Sequence, residues 1–237
     1  MPTGFFILTI VYGGASFLVY TLIIRMMLLK WKDYNTTFFK LYIVEYVFNL
    51  LTFINSFITL RAPQHTCKNC FLSSFFESQS SPTDSSFPLH IFFTIHYCMA
   101  FIQYSMIFLL SLNRLSMMIF VNSYEKCWRR IFPWILIAIV VFPVTQTWSI
   151  ATSNSYYLYV EKLDGYLAKT VADVTGILDV LLTFMGVITI LTMSTNILAI
   201  IRLYFLADRI TEVEKNLFFV SFVAFVIQCI AAGDTVS

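Results

Sequence analysis

Carboxyl, imidazole and amide groups stand inside the most apolar stretches of this 237-residue chain. Glu45, Asn49, Thr52 and Ser56 recur at spacings of four, three and four, which puts them on one face of a helix. His96, Ala100 and Gln103 share a face further on, beside a track of Tyr97, Tyr104 and Ser111. Asp179, Thr183, Gly186, Thr189, Thr192 and Asn196 repeat the pattern, and Gln228 stands in the last stretch. A polar group in apolar surroundings is costly unless it is bonded or faces a cavity. Two chemistries fit. One is interhelical hydrogen bonding that fixes packing, about 1 kcal/mol per bond, which suits Asn49, Gln103 and Asn196. The other is recognition of a small molecule, for which His96, Gln103, Asp179 and Gln228 are the ligand-binding candidates. Glu45 is either protonated or paired, and the sequence does not name its partner.

Catalysis would need more than scattered polar groups. The chain has no HExxH, no GxSxG, no P-loop and no glycine-rich cofactor turn. Gly233-Asp234 is half of an aspartyl protease signature without its tyrosine-aspartate partner helix. The expectation is therefore a non-enzyme with no cofactor and no catalytic residue.

The elements that position these groups are six long apolar runs, at about 4–24, 38–60, 90–112, 131–150, 176–201 and 217–232. Most reach the roughly 20 residues that a helix needs to cross about 30 Å of hydrocarbon. A membrane barrel would instead alternate apolar and polar residues. With 59% hydrophobic and 12% charged residues, and no polar segment long enough for a second core, residues 1–237 read as one all-α, polytopic transmembrane bundle. The basic residues sit at run ends, where they set topology, so a net charge of +2 does not imply nucleic acid. The lipid bilayer is the partner.

Alternate loops carry eleven Lys and Arg against four. The positive-inside bias puts the eleven in the cytoplasm and the N-terminus outside, with Met1 to Ile24 as an uncleaved first helix. All four tryptophans, Trp31, Trp128, Trp134 and Trp148, lie near run ends, where the headgroup layer suits them. The two outer loops are Arg61 to Pro88, Ser/Pro/Thr-rich from Ser78, and Ala151 to Thr175, whose Tyr156, Tyr157 and Tyr159 suit a membrane-surface segment. Cys67 and Cys70 fall in the first of these, an oxidising setting that favours a disulfide with the partner left open. A zinc site with His65 and His90 is the lesser alternative, so no metal is expected.

Asp33-Tyr34-Asn35-Thr36-Thr37-Phe38-Phe39, Phe48-Asn49-Leu50-Leu51-Thr52, Asn55 to Arg61, His96-Tyr97 with Gln103-Tyr104, Ser111-Leu112-Asn113-Arg114-Leu115 and Tyr124-Glu125-Lys126 occur in order. In these the chain resembles nematode serpentine receptors of class gamma, from the first helix to the sixth. The resemblance implies a seven-helix chemoreceptor in the plasma membrane of sensory neurons, binding a small external chemical and signalling through a heterotrimeric G protein. Only six runs are present, so the seventh helix is lacking. A non-signalling truncated receptor fragment, a transporter or a channel are the alternatives.

Arg114 occupies the place of the arginine in the Asp-Arg-Tyr motif of rhodopsin-like receptors, with Asn113 where the acid would be. One reading pairs Arg114 with Glu212 or Glu214 at the start of the sixth helix, as a resting-state switch. The other is an interfacial arginine whose head snorkels to lipid phosphate.

Overall fold

The computed structural model describes residues 3–81, 87–120 and 123–205. The sixth run, with Glu212, Glu214 and Gln228, lies outside them. Helix α1 covers Thr3–Leu29, and α2, Trp31–Tyr34, is a single turn leading to α3, Thr37–Ser56. Helix α3 continues through a π turn, Phe57–Arg61, into α4, Ala62–Gln64. A short α5, Ser73–Ser78, precedes α6, Leu89–Ile119. Helix α7 spans Tyr124–Gln146, with Pro133 and Pro143 inside it, and α8 is Trp148–Ala151. Strands β1, Ser155–Val160, and β2, Gly165–Thr170, form an antiparallel hairpin before α9, Thr175–Phe205. Among the described residues five helices are long and apolar enough to cross a membrane.

Helix α6 is the hub, packing on α9, α3, α7 and α8. Its interior face meets Leu41 of α3 and Tyr124 and Trp128 of α7 around Met99, Ile102, Met106, Leu109 and Leu110. The outward faces of α7 and α9 are just as apolar, with Trp134 at 69% and Ile190 at 67% exposed. In water such an exterior would aggregate; in hydrocarbon it costs nothing.

Trp128 departs from the expectation of a headgroup anchor. It is buried, and its indole N–H donates to Ser116 Oγ at 2.6 Å. Helix α7 begins seven residues before the apolar run, so Trp128 lies on its second turn against α6 rather than at a membrane-facing end.

The segment between α8 and α9 is the hairpin, not a plain surface loop. Ser-Tyr-Tyr-Leu-Tyr-Val carries strand-prone residues, and Asp164 closes the turn at φ 43°, a left-handed conformation that Asp tolerates. The hairpin packs onto the other long connection. Tyr157 and Tyr166 are buried with Phe76 and Leu89. The Tyr157 amide donates to Gln79 O at 3.0 Å and its hydroxyl to Ile58 O at 3.3 Å, while the Tyr166 hydroxyl donates to Glu77 Oε1 at 3.2 Å. Burial pushes the Tyr157 phenol up, and the hydrogen bond to Asp164 pushes Tyr159 up to about 12, so both remain protonated donors near neutral pH. In the same connection the sulfurs of Cys67 and Cys70 are bonded to each other, which takes both away from any metal.

Candidate functional site

The polar stripes of α3 and α6 face each other. Side chains seven or eleven positions apart on a helix return to nearly the same angle at 3.6 residues per turn, so Phe92, His96, Gln103 and Arg114 lie along one line of α6. The antiparallel α3 meets it at three heights, with Tyr42 and Asn49 on one line and Asn55 about 120° around. Asn55 Nδ2 donates to Phe92 O at 3.1 Å, Gln103 Nε2 donates to Asn49 Oδ1 at 3.2 Å, and Arg114 Nη2 donates to Tyr42 Oη at 2.9 Å. Between the first two, His96 Nδ1 is buried and has no hydrogen-bond partner. The result is a polar seam that runs from the hairpin end of the bundle to the Arg114 end.

Arg114 is 4% exposed. Snorkelling to lipid is therefore excluded, because the side chain turns inward against α3 instead of outward. Its guanidinium stands 5.5 Å from the Phe38 ring centroid, and Glu45 is the carboxylate that interacts with it electrostatically. Glu45 thus feels the Arg114 charge without forming an ion pair with it. Glu212 and Glu214, the expected partners of Arg114, lie outside the described residues. Arg114 Nε and Nη1 have no hydrogen-bond partner, so the buried cation is only partly compensated.

Around Arg114, three helices are tied together. Asn113 is fully buried, and its Oδ1 accepts from the Tyr124 hydroxyl at 2.8 Å. The Glu125 carboxylate accepts the first backbone N–H of α3, that of Thr37, at 3.1 and 3.2 Å, and the Thr37 hydroxyl at 3.0 Å. A carboxylate at a helix N-terminus satisfies an otherwise orphaned donor and complements the helix dipole. Here it comes from α7, 88 positions along the chain, with Arg129 of the next turn 3.7 Å away. The function of Glu125 as a cap was invisible in the sequence; only its place in Tyr124-Glu125-Lys126, one of the segments that carry the family resemblance, pointed to it.

Other expected residues fall elsewhere. Asp179 and Thr183 are exposed, whereas Thr192 and Asn196 are buried against the bundle. The stripe on α9 drifts: at about 100° per residue, Asp179 lies about 100° around the helix from Asn196, and the buried outer face belongs to Ile177 and Leu181. Asp179 therefore does not share a cavity with His96 and Gln103. Asn196 Nδ2 has no partner, and Thr192 and Thr195 bond their own preceding carbonyls at 2.8 and 2.7 Å. Cys98 is buried with its sulfur 3.0 Å from the Thr147 hydroxyl. Gln228 lies outside the described residues. A cavity of about 310 Å³ opens instead between α1 and α3, with Asn49 in its wall.

The Srg family chemoreceptor profile matches residues 6–236. Serpentine receptor class gamma-31 of Caenorhabditis elegans is 34% identical over 232 residues, covering 97% of this chain and 74% of that protein. Serpentine receptor class gamma-20 of the same organism is 33% identical over 120 residues, covering 50% of this chain and 33% of that protein. Serpentine receptor class gamma-13 is 29% identical over 155 residues, covering 64% and 44%. With its long apolar helices and internal polar seam, the chain belongs to the Srg family of chemoreceptors and is a multi-pass serpentine chemosensory receptor.

Proposed function

We propose that this receptor detects a small external chemical from the plasma membrane of sensory neurons and signals through a heterotrimeric G protein. The observation that carries the reading is the seam itself. A buried imidazole nitrogen without a partner stands toward one end, and a buried, half-compensated arginine stands at the other. Such groups are incompletely satisfied, so a ligand that offers one of them a hydrogen bond has differential free energy with which to shift the seam. A chemical that took a hydrogen bond from the His96 region would bias the α3–α6 contact and, through it, the Arg114 end. His96, Gln103 and Asn49 are the residues assigned to that bias, and Asn113, Arg114 and Glu45 to the response.

The test is nucleotide exchange on a heterotrimeric G protein in vesicles that contain the receptor. Exchange faster than in receptor-free vesicles is expected, and Arg114→Ala should return it to the receptor-free rate while the protein still reaches the membrane. Ion flux or solute uptake without accelerated exchange would instead favour a channel or carrier and sink the proposal.

The same reading puts the N-terminus and the hairpin outside, on the strength of the eleven-to-four basic asymmetry. Asn35-Thr36-Thr37, the one glycosylation sequon of the chain, then stays bare. A sequon built at the exposed hairpin tip by Glu161→Asn with Leu163→Thr should gain a glycan, seen as a gel shift that a glycosidase reverses. Glycan on Asn35, or none at the new site, reverses the orientation.

A further inference from the structure

The cavity between α1 and α3 is lined by side chains that suit one kind of occupant. Phe17, Tyr20, Tyr46, Leu50 and Phe53 supply an apolar and aromatic wall, and the lining contains one charged group, Arg61. In an uninterrupted α-helix Arg61 would sit about 80° around from Phe53, eight positions earlier. The π turn Phe57–Arg61 closes on the fifth residue instead of the fourth and so winds back most of that angle. The guanidinium consequently stands 5.4 Å from the Phe53 ring centroid, at the end of the cavity. Gly13 lets α1 approach closely there, since a Cβ would lie 2.6 Å from Phe53 Cε2.

Charge and access then decide what fits. Among the described residues no carboxylate lines the cavity, and the ion pair formed is elsewhere, between Arg129 and Glu125. The mouth opens sideways: Tyr12 is 73% exposed, and Val11, Leu18, Val47, Leu51 and Ile54 beside it are exposed apolar residues. In a bilayer such side chains meet hydrocarbon. Arg61 lies three residues from the end of the apolar span Thr37–Gln64, at headgroup depth. From Arg61 to Tyr46 the helix rises about 22 Å, longer than one leaflet of a roughly 30 Å hydrocarbon core.

We propose that this cleft is a lipid site: a phospholipid of the surrounding bilayer lays one acyl chain between α1 and α3 and seats its phosphate on Arg61. The guanidinium gives the phosphate a bidentate partner, and the aromatic wall packs the chain. Asn49, which bonds Gln103 across the seam, also lines the cleft. The lipid therefore touches α3, one of the two helices of the seam. The proposal does not depend on G-protein signalling.

Photolabelling of the full chain in alkyl maltoside micelles tests it with three diazirine-tailed probes: a phosphatidylglycerol, a diacylglycerol and a free fatty acid. The expected result is phosphatidylglycerol adducts concentrated on residues 12–20 and 46–53, with the phosphate-free diacylglycerol labelling them several-fold less. Arg61→Gln should lower the phospholipid adducts several-fold, Arg61→Lys should retain part of them, and Leu50→Trp should abolish them by filling the cleft with Arg61 in place. The headgroup comparison on the unaltered protein stands even where a variant misfolds. Adducts spread evenly over the exposed face of α9, or equal labelling by diacylglycerol, overturn the lipid site. Preferential labelling by the fatty acid in the presence of phospholipid overturns the source and assigns the cleft to a soluble amphiphile.

Discussion

Arg114→Met is expected to destabilise the bundle by about 3 kcal/mol, and the double variant Arg114→Met with Glu45→Met to recover most of that loss. The side chain is 4% exposed, makes a hydrogen bond to Tyr42 and a ring contact to Phe38, and attracts Glu45 electrostatically without an ion pair. Removing the cation alone leaves the Glu45 carboxylate inside the bundle with no positive partner. Removing both trades two buried, imperfectly compensated charges for two apolar side chains in apolar surroundings, which is often neutral. Tyr42→Phe deletes only the hydroxyl and should cost about 1 kcal/mol. Unfolding of these variants and of Glu45→Met in detergent, followed by helicity, completes the double-mutant cycle and gives the coupling between positions 45 and 114. If the single and double variants are equally destabilised, Glu45 is neutral in the folded protein and the two positions are not coupled.

That coupling marks where the sequence stopped being readable. The spacing of Glu45, Asn49 and Thr52, and the seven-residue step from His96 to Gln103, identified two polar faces, and these are the faces that meet. Whether Arg114 points to lipid or to protein was not in the spacing, because it depends on how far α6 continues beyond its apolar run. The helix reaches Ile119, so Arg114 is followed by more than a turn of helix and remains between neighbours. On α9 the opposite error arises. A stripe with steps of three and four drifts around the helix over seventeen residues, so Asp179 and Asn196 look aligned in the sequence and are not. The cap that Glu125 places on α3 could not be read from local pattern at all, since it joins segments 88 positions apart. The hairpin was closer to legible. Its strands carry four Tyr, but its Asp164-Gly165 pair ends a four-residue connection, Glu161 to Asp164, and does not form the two-residue turn that announces a tight hairpin.

Gly165→Val is expected to lift the hairpin off the first long connection. Gly165 opens β2 opposite Val160, and a Cβ there would run into the Gln64 carbonyl, with the carbonyl carbon at 2.9 Å. Because the obstacle is backbone at the end of α4, no rotamer change relieves it, and the strand itself has to move. Moving it breaks the Tyr157 bonds to Gln79 and Ile58 and the Tyr166 bond to Glu77, and exposes the buried Phe76, Leu89, Tyr157 and Tyr166. Two large aromatic rings and three hydrogen bonds are at stake, so the loss of local stability is about 3 kcal/mol or more. Gly186→Ala in α9 is the control. A Cβ there meets nothing within 4 Å, and replacing an interior helical glycine by alanine favours the helix by up to about 1 kcal/mol. Hydrogen exchange should therefore accelerate over residues 155–170 in Gly165→Val, stay slow in the centre of α6, and remain unchanged or slow further in Gly186→Ala. A hairpin as well protected in Gly165→Val as in the unaltered protein would mean that β2 does not rest on Gln64, and the anchoring of the hairpin to the first connection would have to be abandoned.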